Sequence, residues 1–246
     1  MKLAEEVQQV IDSGVTPIVI ETHPVTFFGG GAPVVRTLLM INSLDVGRLT
    51  YAQYRFVARR TKQGDHLVER HITKLLRELP ALLTQYKNAA CFTIPVYARL
   101  LRDGVLAKML FDAFALYPDT SPELLCIELS ADILYEDIAD AKARIEELRG
   151  LGVKVAIAEV GDEFCPIMRL SALQFDYAFL DAYATAKLTE EGAEYTVGGF
   201  INFLRAMKVK VIAPALEGEE LLQAASALGC DGYTAVTFLE GEVVRA

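Results

Sequence analysis

From Cys91 onward the chain alternates short, nearly continuous apolar runs with stretches of helical period. The runs are CFTIPV (91–96), LLCIEL (124–129), VKVAIA (153–158), YAFLD (177–181), VKVIAP (209–214) and GYTAV (232–236). Among the intervening stretches, 136–150 is the clearest helix: Ile138, Ala141, Ile145 and Leu148 share one face, and Gly150 and Gly152 supply a stop. Apolar strands separated by helices predict a parallel sheet covered on its outer face. The N-terminal third adds the runs TPIVIE (16–21) and VVRTLLM (34–40), joined through Phe27-Phe28-Gly29-Gly30-Gly31 with no helix between them. That connection reads as a hairpin, so the first strand is expected antiparallel to its neighbour. Helices are expected over 50–61 and 66–85, and a short amphipathic helix over 1–13. The pattern predicts an α/β protein, a (β/α)8 TIM-like barrel with an antiparallel first strand. A single domain over 1–246 fits, since barrels commonly have about this length and no linker interrupts the chain.

Composition narrows the function. Hydrophobic residues make up 52% of the 246, enough for a large core. No apolar run approaches the roughly 20 residues of a membrane-spanning helix, and the acidic N-terminus lacks the pattern of a signal peptide. A cytoplasmic protein is expected. A net charge of −9 with no block of Lys or Arg argues against nucleic acid. Cys91, Cys126, Cys165 and Cys230 lie dozens of residues apart, which fits isolated buried thiols and not a zinc site or a disulfide framework. Of the histidines, His66 and His71 miss the i, i+4 spacing of a helical metal pair and are expected on a solvated helix face. No nucleophile elbow, P-loop or dinucleotide fingerprint is present, because Gly150-Leu151-Gly152 precedes a strand rather than following one.

The strand ends nevertheless carry a recognisable order of motifs. Ile127-Glu128-Leu129-Ser130-Ala131 is followed by Gly152-Val153-Lys154-Val155-Ala156-Ile157-Ala158-Glu159-Val160-Gly161. Asp176-Tyr177-Ala178-Phe179-Leu180-Asp181, Val211-Ile212-Ala213-Pro214-Ala215-Leu216-Glu217 and Leu228-Gly229-Cys230-Asp231 come next. In sequence these resemble the I-E-L-T-E, G-x-x-x-A-x-D-D-F-G, D-x-x-K-I-D, V-I-A-E-G-V-E and L-G-C-D motifs of the bacterial EAL domain, which hydrolyses cyclic di-GMP. The stretch from Asp45 to Tyr54 resembles the segment after the family's namesake motif and places Arg36-Thr37-Leu38-Leu39-Met40 over E-A-L-L-R. The resemblance spans roughly residues 16–240. It implies the family's barrel, whose first strand is antiparallel, and a catalytic mouth holding two Mg²⁺ or Mn²⁺ ions.

Where the chain departs from those motifs, the resemblance implies lost chemistry. Arg36 stands at the namesake glutamate, Thr93 at the third-strand asparagine and Ala158 at the first aspartate of the D-D pair. Phe179 replaces the active-site lysine, Pro214 the glutamate opening E-G-V-E, and Thr234 falls near the late glutamine. Glu128 is kept, Glu159 substitutes for the second aspartate, and Asp181 and Glu217 remain at the ends of their motifs. A pair of hard divalent ions about 3.5–4 Å apart needs several convergent carboxylates, which two glutamates beside an arginine do not supply. Met40 at the phosphate-contacting arginine and the loop Asp162-Glu163-Phe164-Cys165-Pro166 at the family's T-G-Y-S-S also disfavour cyclic di-GMP. Arg36 is expected to sit among Glu128 and Glu159 as a fixed counter-charge.

The resulting expectation is a catalytically inactive EAL-like module with no metal cofactor, acting through a protein partner or as a homodimer. The alternatives are a receptor that binds cyclic di-GMP without hydrolysis and an active phosphodiesterase. In the family the helix after D-D-F-G often mediates pairing, which here points to Ile167, Met168, Leu170 and Leu173.

Overall fold

The computed structural model describes residues 17–43, 47–102, 104–162 and 165–235. The expected helix over 1–13, the stretch around Asp45, and Glu163 and Phe164 lie outside them.

Strand β1 (Ile18–Pro24) runs antiparallel to β3 (Val34–Ser43), with His23 opposite Arg36 and Val19 opposite Met40. The expected hairpin is therefore present. One residue after β1 the same segment forms the short β2 (Thr26–Phe27), which pairs with the last strand, β10 (Gly232–Ala235). Residues 18–27 thus bridge both edges of the sheet, and a short β4 (Gly47–Leu49) folds back on β3. The sheet order β1-β3-β5-β6-β7-β8-β9-β10-β2 forms a nearly closed barrel. Its parallel members are β5 (Cys91–Val96), β6 (Leu125–Ser130), β7 (Lys154–Val160), β8 (Tyr177–Leu180) and β9 (Lys210–Leu216), flanked by β3 and β10.

The helices follow from the same patterning. Helices α1 (Tyr51–Ala58) and α2 (Lys62–Gln85) come first, and α2 lays Leu67, Val68, Ile72, Leu75, Leu76 and Leu79 on the core. The α1–α2 corner needs Gly64, because a Cβ there would lie 2.0 Å from the Ala58 carbonyl oxygen. Around the barrel follow α3 (Ala98–Arg102), α4 (Val105–Leu116), α5 (Ile138–Gly150), α6 (Ile167–Leu170), α7 (Ala182–Ala186), α8 (Val197–Ala206) and α9 (Glu219–Ala227).

Strand alternation divides the core in two. Outward residues such as Val35, Ile127, Ile157 and Val211 pack beneath the helices. Inward residues Val34, Cys91, Cys126, Ala156, Tyr177, Phe179 and Ile212 fill the barrel itself. Cys91 and Cys126 therefore share one interior cluster and are not isolated from each other. His71 corrects a second expectation: it is 3% exposed and turned into the protein, whereas His66 is exposed. The α2 pattern explains the difference, since residue 71 lies four after Leu67 on the apolar face.

Two aspartates of the recognised motifs secure the floor of the barrel. Asp176 bonds both polar groups of Val155: its backbone N–H donates to the Val155 carbonyl (2.7 Å), and its carboxylate accepts the Val155 N–H (2.9 Å). Asp231 does the same to Val211, at 2.7 and 2.8 Å. Each carboxylate takes a backbone donor at the start of a strand that would otherwise be left without a partner.

Candidate functional site

The C-terminal ends of the parallel strands converge on one mouth, where the catalytic positions implied by the resemblance can be located. Arg36 enters from β3, Thr93 from β5, Glu128 from β6, Ala158 from β7 and Phe179 from β8. The Arg36 guanidinium clamps Glu128. Its Nε donates to the two carboxylate oxygens at 3.0 and 2.9 Å, and a terminal nitrogen donates to one of them at 2.5 Å. The Thr93 hydroxyl donates to the second oxygen at 3.0 Å. On its other side, Arg36 lies over the Phe179 ring at 4.9 Å.

The environment makes this pair consequential. Glu128 is 2% exposed and the Arg36 side chain 18%. Burial works against the Arg36 charge, but the adjacent Glu128 outweighs it and holds the guanidinium above its ordinary pKa. Tyr51, at the start of α1, feels both groups; burial, Tyr97 and Glu128 push its hydroxyl well above the usual range, so it stays protonated. An ion pair held by this many donors satisfies a carboxylate that would otherwise be costly to bury.

Glu159 does not join the cluster. It pairs with Arg55 of α1, a residue that spacing did not single out. The reason is a bulge. Ile157 faces Ala178 while Val160 faces Leu180, so β7 carries one extra residue there, and Glu159 takes φ 62°. Ala158 points inward, and Glu159 is swung to the rim beneath α1. A matching bulge in β9 falls between Ala213, opposite Tyr233, and Leu216, opposite Ala235, with Ala215 at φ 53°. The backbone still re-aims neighbouring side chains at the two strand ends where the family's motifs place paired acids, although Ala158 and Pro214 stand at the first acid of each.

The remaining candidates serve the fold. Asp181 caps α7, its carboxylate accepting the Tyr183 N–H at 2.7 Å. The Thr234 hydroxyl accepts the Ala215 N–H at 2.9 Å, which anchors the β9 bulge. Pro214 sits within that bulge, half-buried, and Glu217 is exposed beyond it. Of the four proposed pairing residues, Leu170 and Leu173 are buried in the core, whereas Ile167 and Met168 are 44% and 81% exposed. Spacing also missed Thr37 and His71 behind the site. The Thr37 hydroxyl donates to the Thr93 carbonyl and lies 2.8 Å from His71 Nε2. With the hydroxyl proton committed, His71 Nε2 is the donor. Burial alone depresses the His71 pKa to about 3.

These residues do not fit a pair of divalent cations. Among the described residues no group of three or more His, Cys, Asp and Glu is placed to hold a metal. The one carboxylate inside the mouth is already neutralised by a guanidinium, which would repel a cation brought beside it.

The family model described as EAL domain matches residues 24–234. No curated protein matches the sequence. Among solved structures, the chain is similar to PaMucR phosphodiesterase in its c-di-GMP complex, at 18% identity, TM-score 0.81, and coverage of 96% of this chain and 95% of that one. It is similar to the FimX EAL domain from Pseudomonas aeruginosa bound to c-di-GMP, at 17% identity, TM-score 0.79, and coverage of 96% and 94%. A third similar structure is Vibrio cholerae LapD spanning S helix, GGDEF and EAL, bound to c-di-GMP. There the identity is 13%, the TM-score 0.78, and coverage 95% of this chain and 56% of that one.

Proposed function

The chain belongs to the EAL domain family, and we propose that it is a member that neither holds the catalytic metals nor hydrolyses cyclic di-GMP, and that it acts in the cytoplasm as a protein-interaction module. The observation that carries this reading is the Arg36–Glu128 clamp. Two-metal hydrolysis requires the retained glutamate to face a cation and an activated water. Here its oxygens are taken up by Arg36 and Thr93. The aromatic ring at the lysine position covers the opposite face of the guanidinium and leaves no ammonium to meet a phosphate.

A homodimer through the segment around α6 would rest on Ile167 and Met168, because Leu170 and Leu173 are committed to the core. A stable interface buries about 800 Å² per partner, more than two side chains supply. The reading therefore favours a different protein as partner.

The test is a calorimetric titration of cyclic di-GMP with and without Mn²⁺, run beside a turnover assay. No heat and no turnover are expected. Binding tighter than ~10 μM without turnover would establish a receptor instead, and Mn²⁺-dependent turnover abolished by Glu128→Ala would establish a phosphodiesterase.

A further inference from the structure

The rim of the closed mouth sets arginines beside exposed apolar side chains, in a chain of net charge −9. Its centre is Phe56 on α1, half exposed, with the Arg55 guanidinium 4.8 Å and the Arg59 guanidinium 5.0 Å from the ring centre. Stacked guanidiniums keep their in-plane N–H edges available for carboxylates. Among the described residues Arg59 pairs with an exposed Asp132 at 3.4 Å, so that pair is weak and exchangeable. Arg55 Nε is buried without a hydrogen-bond partner. The rim continues through the 131–136 turn to α6: Asp132 meets Arg59, and Arg169 donates to the Glu136 carbonyl. Beside Arg169 stands Met168, 81% exposed. Among the described residues Arg169 has no carboxylate in ion-pair reach, so its charge is left for a visitor.

From this juxtaposition we propose that the Phe56–Met168 rim is the docking surface for an acidic amphipathic segment of another protein, with apolar side chains covering Phe56 and Met168 and carboxylates engaging Arg59 and Arg169. The inference rests on the interaction-module reading and names the chemistry of the partner. Charge complementarity selects the occupant. A basic segment would meet Arg59 and Arg169, Arg55 being already paired with Glu159, and a wholly apolar one would strip water from guanidiniums without replacing their hydrogen bonds.

The experiment uses the full chain and a short fluorescein-labelled amphipathic helix of Leu and Glu, followed by anisotropy, with a Leu and Lys peptide of the same pattern as comparison. Saturable, salt-sensitive binding of the acidic peptide alone is expected. Phe56→Ser and Arg169→Glu should each weaken it by about tenfold or more, while Phe111→Ser, on α4 outside the rim and 64% exposed, should not. Phe56, Arg169 and Met168 lie at the surface, so thermal melts of the variants should overlay the parent. Equal binding of both peptides, no binding at millimolar concentration, or indifference to both rim variants overturns the proposal. Self-association removed by those variants would also overturn it, since the occupant would then be a second copy. Because the assay contains no nucleotide, its failure leaves the cyclic di-GMP titration to judge the inactive reading separately.

Discussion

The Arg36 guanidinium reaches past one strand to grip Glu128, tying β3 to β6 across the intervening β5. Thr93 on that middle strand supplies a fourth hydrogen bond to the carboxylate. In effect an internal cation occupies the place where the resemblance puts dissolved metal ions. The closed circuit of charge, hydroxyl and aromatic ring explains how a carboxylate that is 2% exposed is tolerated in a barrel mouth.

Arg36→Met should be strongly destabilising, by about 3–5 kcal/mol, because it leaves a buried carboxylate without its counter-charge. Adding Glu128→Leu should recover most of the loss. Urea denaturation of the two single variants and the double checks this, and additive losses would show that the pair is not coupled.

Thermal stability should ignore divalent metal. A ligand that binds the folded state raises the melting temperature by mass action, so dialysis against EDTA and addition of millimolar Mn²⁺ should give superimposable melts. A gain of several degrees with Mn²⁺ would contradict the closed mouth.

His71 should make the protein acid-sensitive in a defined window. Folded, its pKa is held at about 3; unfolded, it is about 6.5. Between those values the unfolded chain binds a proton that the folded one excludes. Its contribution is therefore intact above pH 6.5 and declines as pH falls toward 3, by about 1.4 kcal/mol per pH unit. His71→Gln, which can still donate to Thr37, should flatten that limb in denaturation curves recorded from pH 7 to 4.

Asp176→Ala and Asp231→Ala should each cost about 1–3 kcal/mol, the penalty for stranding the Val155 or Val211 N–H at the barrel floor. Chemical denaturation of each variant beside the parent checks this, and unchanged midpoints would show that neither carboxylate is needed at the floor. Asp176→Ala also removes the Arg149 ion pair, an exposed contact expected to add little.

The motif remnants sort by their physical duty. Asp176, Asp181 and Asp231, still readable in the sequence, each cap a strand or helix. The positions that the resemblance assigns to metal ligands and to the active-site lysine carry Arg36, Thr93, Ala158 and Phe179, which pack and pair with one another or fill the barrel. What stayed legible was the fold's own chemistry, because backbone donors need partners whatever the mouth does.

The alternation of apolar runs and helical stretches determined the barrel and the antiparallel first strand, since both depend on local periodicity and on the absence of a helix between two runs. The substitutions in the motifs likewise gave the expectation that most of the metal-holding acids are replaced while Glu128 is kept. Only the tertiary structure decided which of the expected partners Arg36 meets: it grips Glu128 from 92 residues away, while Glu159 is diverted to Arg55 by a single-residue bulge. His71, whose spacing suggested solvent, is buried on Thr37. A one-residue change in strand register reverses the face a side chain presents, and nothing in the local pattern of β7 signals such a change.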